Sequence, residues 1–337
     1  GTPLAQSSMT SGFVSCEPLV SPSYTNSPSN APSVLGNVQG GSANTVAAYF
    51  NDSIEFTKQW KAVAGLRYDR YLASISNSLN AANTPASAKI TALPYAQQTV
   101  NFVSTRLGGI WQPTDWQSYY VSYGTSFNPS LEQLVGTTGQ QGLDPEKNKS
   151  YEAGGKWDLL NGDLSVSSAV FQITKDNART QIDSTTYTSA GKIRVRGARL
   201  GATGHVTDKL QIFAGYTYLD AEIVNGIAAG TQGMTPANTP KHAATVWTSY
   251  TFMPNWEVGA GAFYMSQRYA NNTDTVQVGG FVRWDAMLAY HQPKYDVRLN
   301  VFNLFNKTYY DALIPSDGGR AVPGTGRAAM LSVVYRM

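Results

Sequence analysis

From Thr45 to Met337 apolar and polar positions alternate in one run after another. In Phe281 to His291 the even positions Val282, Trp284, Ala286, Leu288 and Tyr290 are apolar or aromatic, whereas Arg283, Asp285 and His291 fall on odd ones. The next run reverses parity, with Tyr295, Val297, Leu299 and Val301 set against Asp296, Arg298 and Asn300. Trp60, Ala62, Ala64, Leu66 and Tyr68 against Lys61, Arg67 and Asp69 repeat the pattern, as do Leu210 to Tyr218 and Trp256 to Tyr264. Successive side chains of a strand point to opposite faces, so each run offers one face to acyl chains and the other to water. Several series begin and end in Trp or Tyr, rings whose apolar body and polar tip suit the two headgroup levels.

The connections alternate as well. Short ones fall at Thr57 to Gln59, Gln112 to Asp115, Leu160 to Asp163, His205 to Asp208, Met253 to Asn255 and Gln292 to Lys294. Long ones lie between them, at Ser76 to Gln98, Phe127 to Lys147, Arg179 to Tyr187, Val224 to Thr239, Asn271 to Val278 and Asn306 to Thr325. A soluble sandwich has no reason to keep every second loop long, whereas a barrel with a short-turn periplasmic rim and a long-loop external rim does. The pattern predicts an all-β, antiparallel transmembrane barrel wall of about thirteen strands, many with the roughly ten residues that cross a membrane at a tilt.

Composition sharpens this reading. Charged residues are 14% of the 337, low against roughly 25% for a soluble protein, yet no stretch approaches the ~18 consecutive apolar residues of a membrane helix. Low charge without a helical span favours a barrel wall. A net charge of +3 is too small to argue for nucleic acid. Residues 1–44, rich in Ser, Pro, Asn and Gly, read as a loop-like segment ahead of the barrel portion 45–337. They lack the basic start and apolar core of a signal peptide, so the natural N-terminus of an exported protein is expected to lie upstream. Cys16 is the single cysteine, a free thiol or one half of a pair.

Several stretches are not generic to barrels: TVAAYFNDSIEFTKQWKAVAGLRYDRY (Thr45 to Tyr71), LDPEKN (Leu143 to Asn148), RVRGARLG (Arg194 to Gly201), NTP (Asn238 to Pro240) and NVFNLFNKTYY (Asn300 to Tyr310). Each has a plain physical role. Asp144 and Pro145 form a turn that closes an external loop, and Pro240 restarts a strand where a proline costs no ladder bond. Together they resemble the TonB-dependent siderophore receptors, and particularly their catecholate branch. The resemblance implies the C-terminal portion of a barrel of about 22 strands in the bacterial outer membrane, with the plug domain absent. It implies uptake of a ferric siderophore, the iron carried as a chelate with no resident cofactor. It also implies partners: outer-membrane lipids and lipopolysaccharide, TonB-ExbB-ExbD through the N-terminal part, and phages or colicins at the external loops. Two positions depart from the family. The alternating end Ala329, Leu331, Val333, Tyr335 closes on Met337 instead of an aromatic, and Arg199, on the lumen face by parity, stands where an acidic residue is common.

Ferric catecholates are anionic and aromatic, so cations and rings can grip the intact complex without touching iron. By position the external loops and upper wall offer Arg179, Arg194, Arg196, Arg268, Tyr269, Tyr309, Tyr310, Arg320 and Arg327 as ligand-binding candidates. The lower wall offers Arg67, Arg106, Arg283 and Arg298, which can equally pair with Asp69, Asp285 and Asp296. The loop Ile314 to Gly326, with Gly318 and Gly319 beside Asp317 and Arg320, is the expected mobile element over bound ligand.

Other classes fare worse. Catalysis is not expected, because His205 and His291 sit at periplasmic turns and His242 has no partner motif. No two histidines fall at metal-ligand spacing. A passive porin would share the girdle, but with about 16 to 18 strands and without these motifs. Hydroxamate siderophores, haem or a nickel complex stay open as substrates, and a soluble all-β module would extract without detergent.

Overall fold

The computed structural model describes residues 4–6, 16–18, 37–79, 96–129, 131, 143–181, 187–314 and 320–336. The strands are β1 (Leu4–Gln6), β2 (Cys16–Pro18), β3 (Asn37–Glu55), β4 (Trp60–Leu79), β5 (Ala96–Thr114), β6 (Gln117–Asn128), β7 (Glu146–Leu159), β8 (Leu164–Gln181), β9 (Tyr187–Thr207) and β10 (Leu210–Asn225). There follow β11 (His242–Met253), β12 (Trp256–Met265), β13 (Arg268–Tyr269), β14 (Gln277–Val278), β15 (Phe281–His291), β16 (Tyr295–Phe302), β17 (Tyr310–Ile314), β18 (Arg320–Pro323) and β19 (Ala328–Tyr335). Thirteen of them, β3 to β12 with β15, β16 and β19, form one antiparallel sheet in chain order. The pairs β13–β14 and β17–β18 are small hairpins within the external connections.

The segment expected to be loop-like through residue 44 is already strand from Asn37, paired with β4 in unbroken register from Asn37 opposite Leu79 to Glu55 opposite Lys61. Backbone ladders need no apolar side chains, so a Gly, Ser and Asn-rich stretch can extend a strand that the periodicity does not reveal.

Register ties the faces together. Leu331 pairs with Leu299, Leu299 with Leu288, and Leu288 with Val258, which pairs with Tyr250. Farther along, Tyr216 faces Leu200 and Tyr119 faces Trp111, itself opposite Trp60. One face is therefore apolar across the sheet, with Leu288, Leu299 and Val258 each exposed. Water would penalise so wide an apolar face; lipid removes the penalty. At the short-turn end its rim is aromatic. Trp60 stacks on Trp111 (5.9 Å) and Trp111 on Tyr119 (5.4 Å), with Trp157 edge-on at 5.9 Å. At the opposite limit Tyr123 meets Tyr151 at 4.9 Å.

The short connections are as tight as expected. Pro254 and Asn255 alone join β11 to β12, Asn255 adopting φ 68, a left-handed conformation that Asn tolerates. Gly204 (φ 134) passes so close to the Asp163 carbonyl that a side chain has no room there. Cores form where loops dock on the wall's inner face: Leu131 packs on Ala73 and Ile75, and the Tyr71 hydroxyl donates to the Leu131 carbonyl at 3.3 Å.

Candidate functional site

The inner face opposes charge with charge. Arg67 grips Asp69 through Nε (2.9 Å to both carboxylate oxygens) and Nη2 (2.8 Å). Arg199 donates to Glu152 at 2.6 Å, and the Tyr120 hydroxyl donates to the same oxygen at 2.6 Å. Arg199 thus lies inward as parity required, and its charge is matched by Glu152. Near the periplasmic rim His291 bridges Asp296 and Glu257 at 3.0 Å each, and Arg336 also reaches Asp296. A cavity of about 260 Å³ opens between Tyr49, Asn51, Arg67 and Arg106.

The upper inner wall carries an aromatic and cationic cluster around Tyr309 and Arg283, the latter expected on the lower wall but set near the external end of β15, two residues after Phe281 opens the strand. Arg283 lies 5.9 Å from the Phe263 ring centroid, pairs with Asp285 at 3.0 Å and donates to the Tyr309 hydroxyl at 3.3 Å. Tyr309 packs on Phe281 (4.5 Å) and against Gly324, where no Cβ would fit. Asn303 holds this arrangement. Its amide donates to the Lys307 and Thr325 carbonyls (2.9 and 3.0 Å), its oxygen accepts from the Lys307 N–H (2.8 Å), and its own N–H donates to Asp285 (2.7 Å). The NVFNLFNKTYY motif is therefore a latch that folds the last external connection onto the inner wall. The repeat of Asn and aromatic residues signalled something specific there, but not this geometry.

Other candidates sit elsewhere. Arg268, expected to meet ligand, is 3% exposed and donates to the Tyr310 and Asp311 carbonyls (2.7 and 3.0 Å) and to Asn238 Oδ1 (2.9 Å). Burial pulls its pKa down and the Asp311 charge opposes this. It is a clamp between connections, and Tyr309, 5% exposed, is a packing residue of the same block. Tyr310 is exposed, and Tyr269 lines a 290 Å³ cleft with Lys241, Gln267 and Asp220; sequence reasoning passed over Lys241. Arg194 and Arg196 face outward, on the parity of Leu200, away from the lumen. Arg327 is exposed just ahead of β19. Arg320 opens β18; its side chain, residues 317–319 and the Cys16 side chain lie outside the described residues.

Arg179 closes the top of β7 and β8. Its N–H and guanidinium reach Glu146 at 3.0 and 3.6 Å, and Lys175 adds a contact at 3.3 Å. Above the membrane-spanning part of β7, burial drives the Glu146 pKa up, but these donors outweigh it and hold the carboxyl below its ordinary 4.5. A depressed pKa in the folded state means that the stability it contributes is present above the ordinary value and lost as pH falls through the lower one. Glu146→Gln is expected to cost about 1–2 kcal/mol at pH 7, the difference from wild type closing as pH falls below the ordinary carboxylate range. Thermal unfolding in detergent across pH checks this.

Thirteen antiparallel strands, an apolar outer face with aromatic rims and a charge-paired inner face define the wall of an outer-membrane β-barrel. The model of the TonB dependent receptor-like β-barrel family matches residues 12–304, and the chain belongs to that family. It is 36% identical over 311 residues to the "Probable TonB-dependent siderophore receptor PiuA" of Acinetobacter baumannii, covering 87% of this chain and 40% of that protein. It is 30% identical over 317 residues to the "Catecholate siderophore receptor Fiu" of Escherichia coli O157:H7, covering 87% and 41%. The crystal structure of the siderophore receptor PiuA superposes with a TM-score of 0.78 at 34% identity, over 88% of this chain and 43% of that one. The closed form of Fiu from E. coli K12, a ferric-catecholate import receptor, gives 0.75 at 26%, over 88% and 45%. The chain spans about 40% of the length of these curated relatives. These relatives are receptors, not enzymes.

Proposed function

We propose that the chain forms the wall and external mouth of a larger receptor that imports a ferric siderophore of the catecholate type, driven through TonB. The observation that carries this reading is the upper inner wall, where the half-buried Arg283 and Phe263 set a cation against an aromatic ring beneath external connections that the buried Phe281 and Tyr309 help to hold. An anionic complex wrapped in catechol rings matches such a surface, with rings meeting rings and cations meeting phenolate oxygens. The relatives that import ferric catecholates support it. Arg179, Tyr269, Tyr310, Arg320 and Arg327 are the ligand contacts proposed on the mouth, with Arg268 and Tyr309 holding the connections that carry them.

The test is tryptophan quenching of the complete receptor in detergent by ferric catecholate, ferric hydroxamate and haem. The ferric catecholate is expected to bind selectively, and an Arg320→Ala, Arg327→Ala double variant to weaken it by about tenfold or more. Selective binding of the hydroxamate or haem would move the substrate class, and binding of none would favour a passive pore.

A further inference from the structure

β10 outruns its neighbour β11 at the external end. Its register with β11 stops at Tyr218 opposite His242, whereas its register with β9 continues to Asn225. Above that point backbone bonds still cross at two levels. The Leu219 N–H donates to the Lys241 carbonyl at 2.9 Å, and Ile223 donates to the Met234 carbonyl (2.9 Å) while accepting from the Gly233 N–H (2.8 Å). Alternate residues of an antiparallel strand aim their backbone groups to the same side. Ala221, midway between the two, therefore points its N–H and C=O the same way, and among the described residues no backbone group on that side meets them.

The cause is the segment opposite, residues 235–240. Pro236 and Pro240 have no N–H to give. Three of the others are engaged elsewhere: the Thr235 N–H with the Asp274 carboxylate (3.2 Å to each oxygen), the Ala237 N–H with Asn272 Oδ1 (2.8 Å) and the Asn238 N–H with the Tyr269 carbonyl (2.8 Å). The segment is drawn toward the connection after β12 and away from β10. Between them lies the cleft of about 290 Å³, lined by Leu219, Ala221, Thr235, Thr239, Lys241 and Tyr269 among others. Lys241 is exposed, 5.9 Å from the Tyr218 ring centroid, and pairs with no carboxylate among the described residues. Ala221 stands eleven residues beyond Leu210, which at roughly 3.3 Å per residue and a tilt near 40° is about 28 Å, clear of the apolar band of about 25 Å. Water and polar solutes reach it.

An open strand edge recognises another main chain. An extended residue opposite Ala221 would donate its N–H to the Ala221 carbonyl and accept from the Ala221 N–H, the exchange that closes an antiparallel pair. Running antiparallel to β10, as β11 does, such a ligand carries its carboxyl end toward Lys241. The bonds at Leu219 and Ile223 shut the gap at both ends, leaving room for about three residues, roughly 10 Å. We infer that this notch binds a short free peptide, its middle residue paired with Ala221 and its terminal carboxylate on Lys241 Nζ. Asp220, exposed beside the notch on the outward side, disfavours peptides with acidic side chains. The site does not depend on the siderophore reading.

The complete receptor in detergent is titrated calorimetrically with tri-alanine, its C-terminal amide, an analogue with an ester oxygen in place of the middle N–H, and hexa-alanine. Tri-alanine is expected to bind, and loss of the N–H or of the carboxylate should each weaken it by about tenfold. Hexa-alanine should bind more weakly, because the closed ends exclude it. Lys241→Gln should weaken tri-alanine by a similar factor and leave the amide unchanged, a pattern that general damage to the fold would not produce. Ala221→Pro removes an N–H that makes no ladder bond and should weaken every probe, whereas Lys209→Gln at the periplasmic rim should bind as wild type. No binding of tri-alanine, an ester analogue or hexa-alanine as tight as tri-alanine, or equal loss of acid and amide in Lys241→Gln would overturn the inference.

Discussion

Ala286→Arg is expected to be the most damaging single substitution in the wall. Ala286 lies midway along β15, flanked by Ala260 and Val301 on the lipid-facing side. A guanidinium there has no water and, among the described residues, no carboxylate on its face of the adjoining strands. The cost at mid-membrane is about 2–4 kcal/mol, which would appear as a fall in the folded, heat-modifiable fraction of the receptor assembled into vesicles. Asn300→Arg, on the neighbouring strand but pointing to the charged inner face, should cost under about 1 kcal/mol. Equal damage from the two would mean that the faces have been assigned the wrong way round.

The second large effect is expected at Asn303, 1% exposed and at φ 49. Its side chain satisfies two carbonyls and one N–H that no helix or sheet serves. Asn303→Ala would leave all three without this partner, at about 1–3 kcal/mol for each group that water cannot reach. The strands should persist while the connection after β16 loosens, since the latch joins Lys307 to Thr325 and not strand to strand. Limited proteolysis reports it: rapid cleavage within 303–327 with the remaining wall intact is the expected result. Asn303→Gly should not rescue the fold, because the glycine relieves φ without restoring a bond. Protection equal to wild type in either variant would remove the latch from the account.

The wall was legible and the mouth was not, for one physical reason. Period-two alternation follows from strand geometry, so the faces of β4, β10, β12, β15 and β16, their aromatic ends and the inward Arg199 could be read along the chain. The same parity placed Arg194 and Arg196 outward; grouping them with ligand contacts weighed height above the membrane over direction. Loops have no period. Nothing local marks Arg268 as buried, because its partners Tyr310 and Asp311 lie more than forty positions away in another connection. The ring of Tyr309 is likewise placed by Phe281, Arg283 and Gly324, which meet only after the connection folds inward. The early start of β3 escaped notice because ladder bonds are indifferent to side-chain type.

The register from β3 to β19, shifted only near strand ends, has an implication for which genetic changes such a wall can absorb. Exchanging one apolar residue for another on the outer face alters a contact, but deleting a single residue within β10 would carry every position beyond it to the opposite side, placing Gln211 and Thr217 in lipid or tearing the ladder to β11. The two-residue turns leave no slack to take up the error, whereas the connection between β10 and β11, with Gly230 and Gly233 already in left-handed conformations, can lengthen freely. Lineages of this wall should therefore diverge by substitution within strands and by insertion at the external rim, so that an epitope spliced after Gly230 would be displayed on the cell surface while the same peptide after Pro254 would abolish assembly.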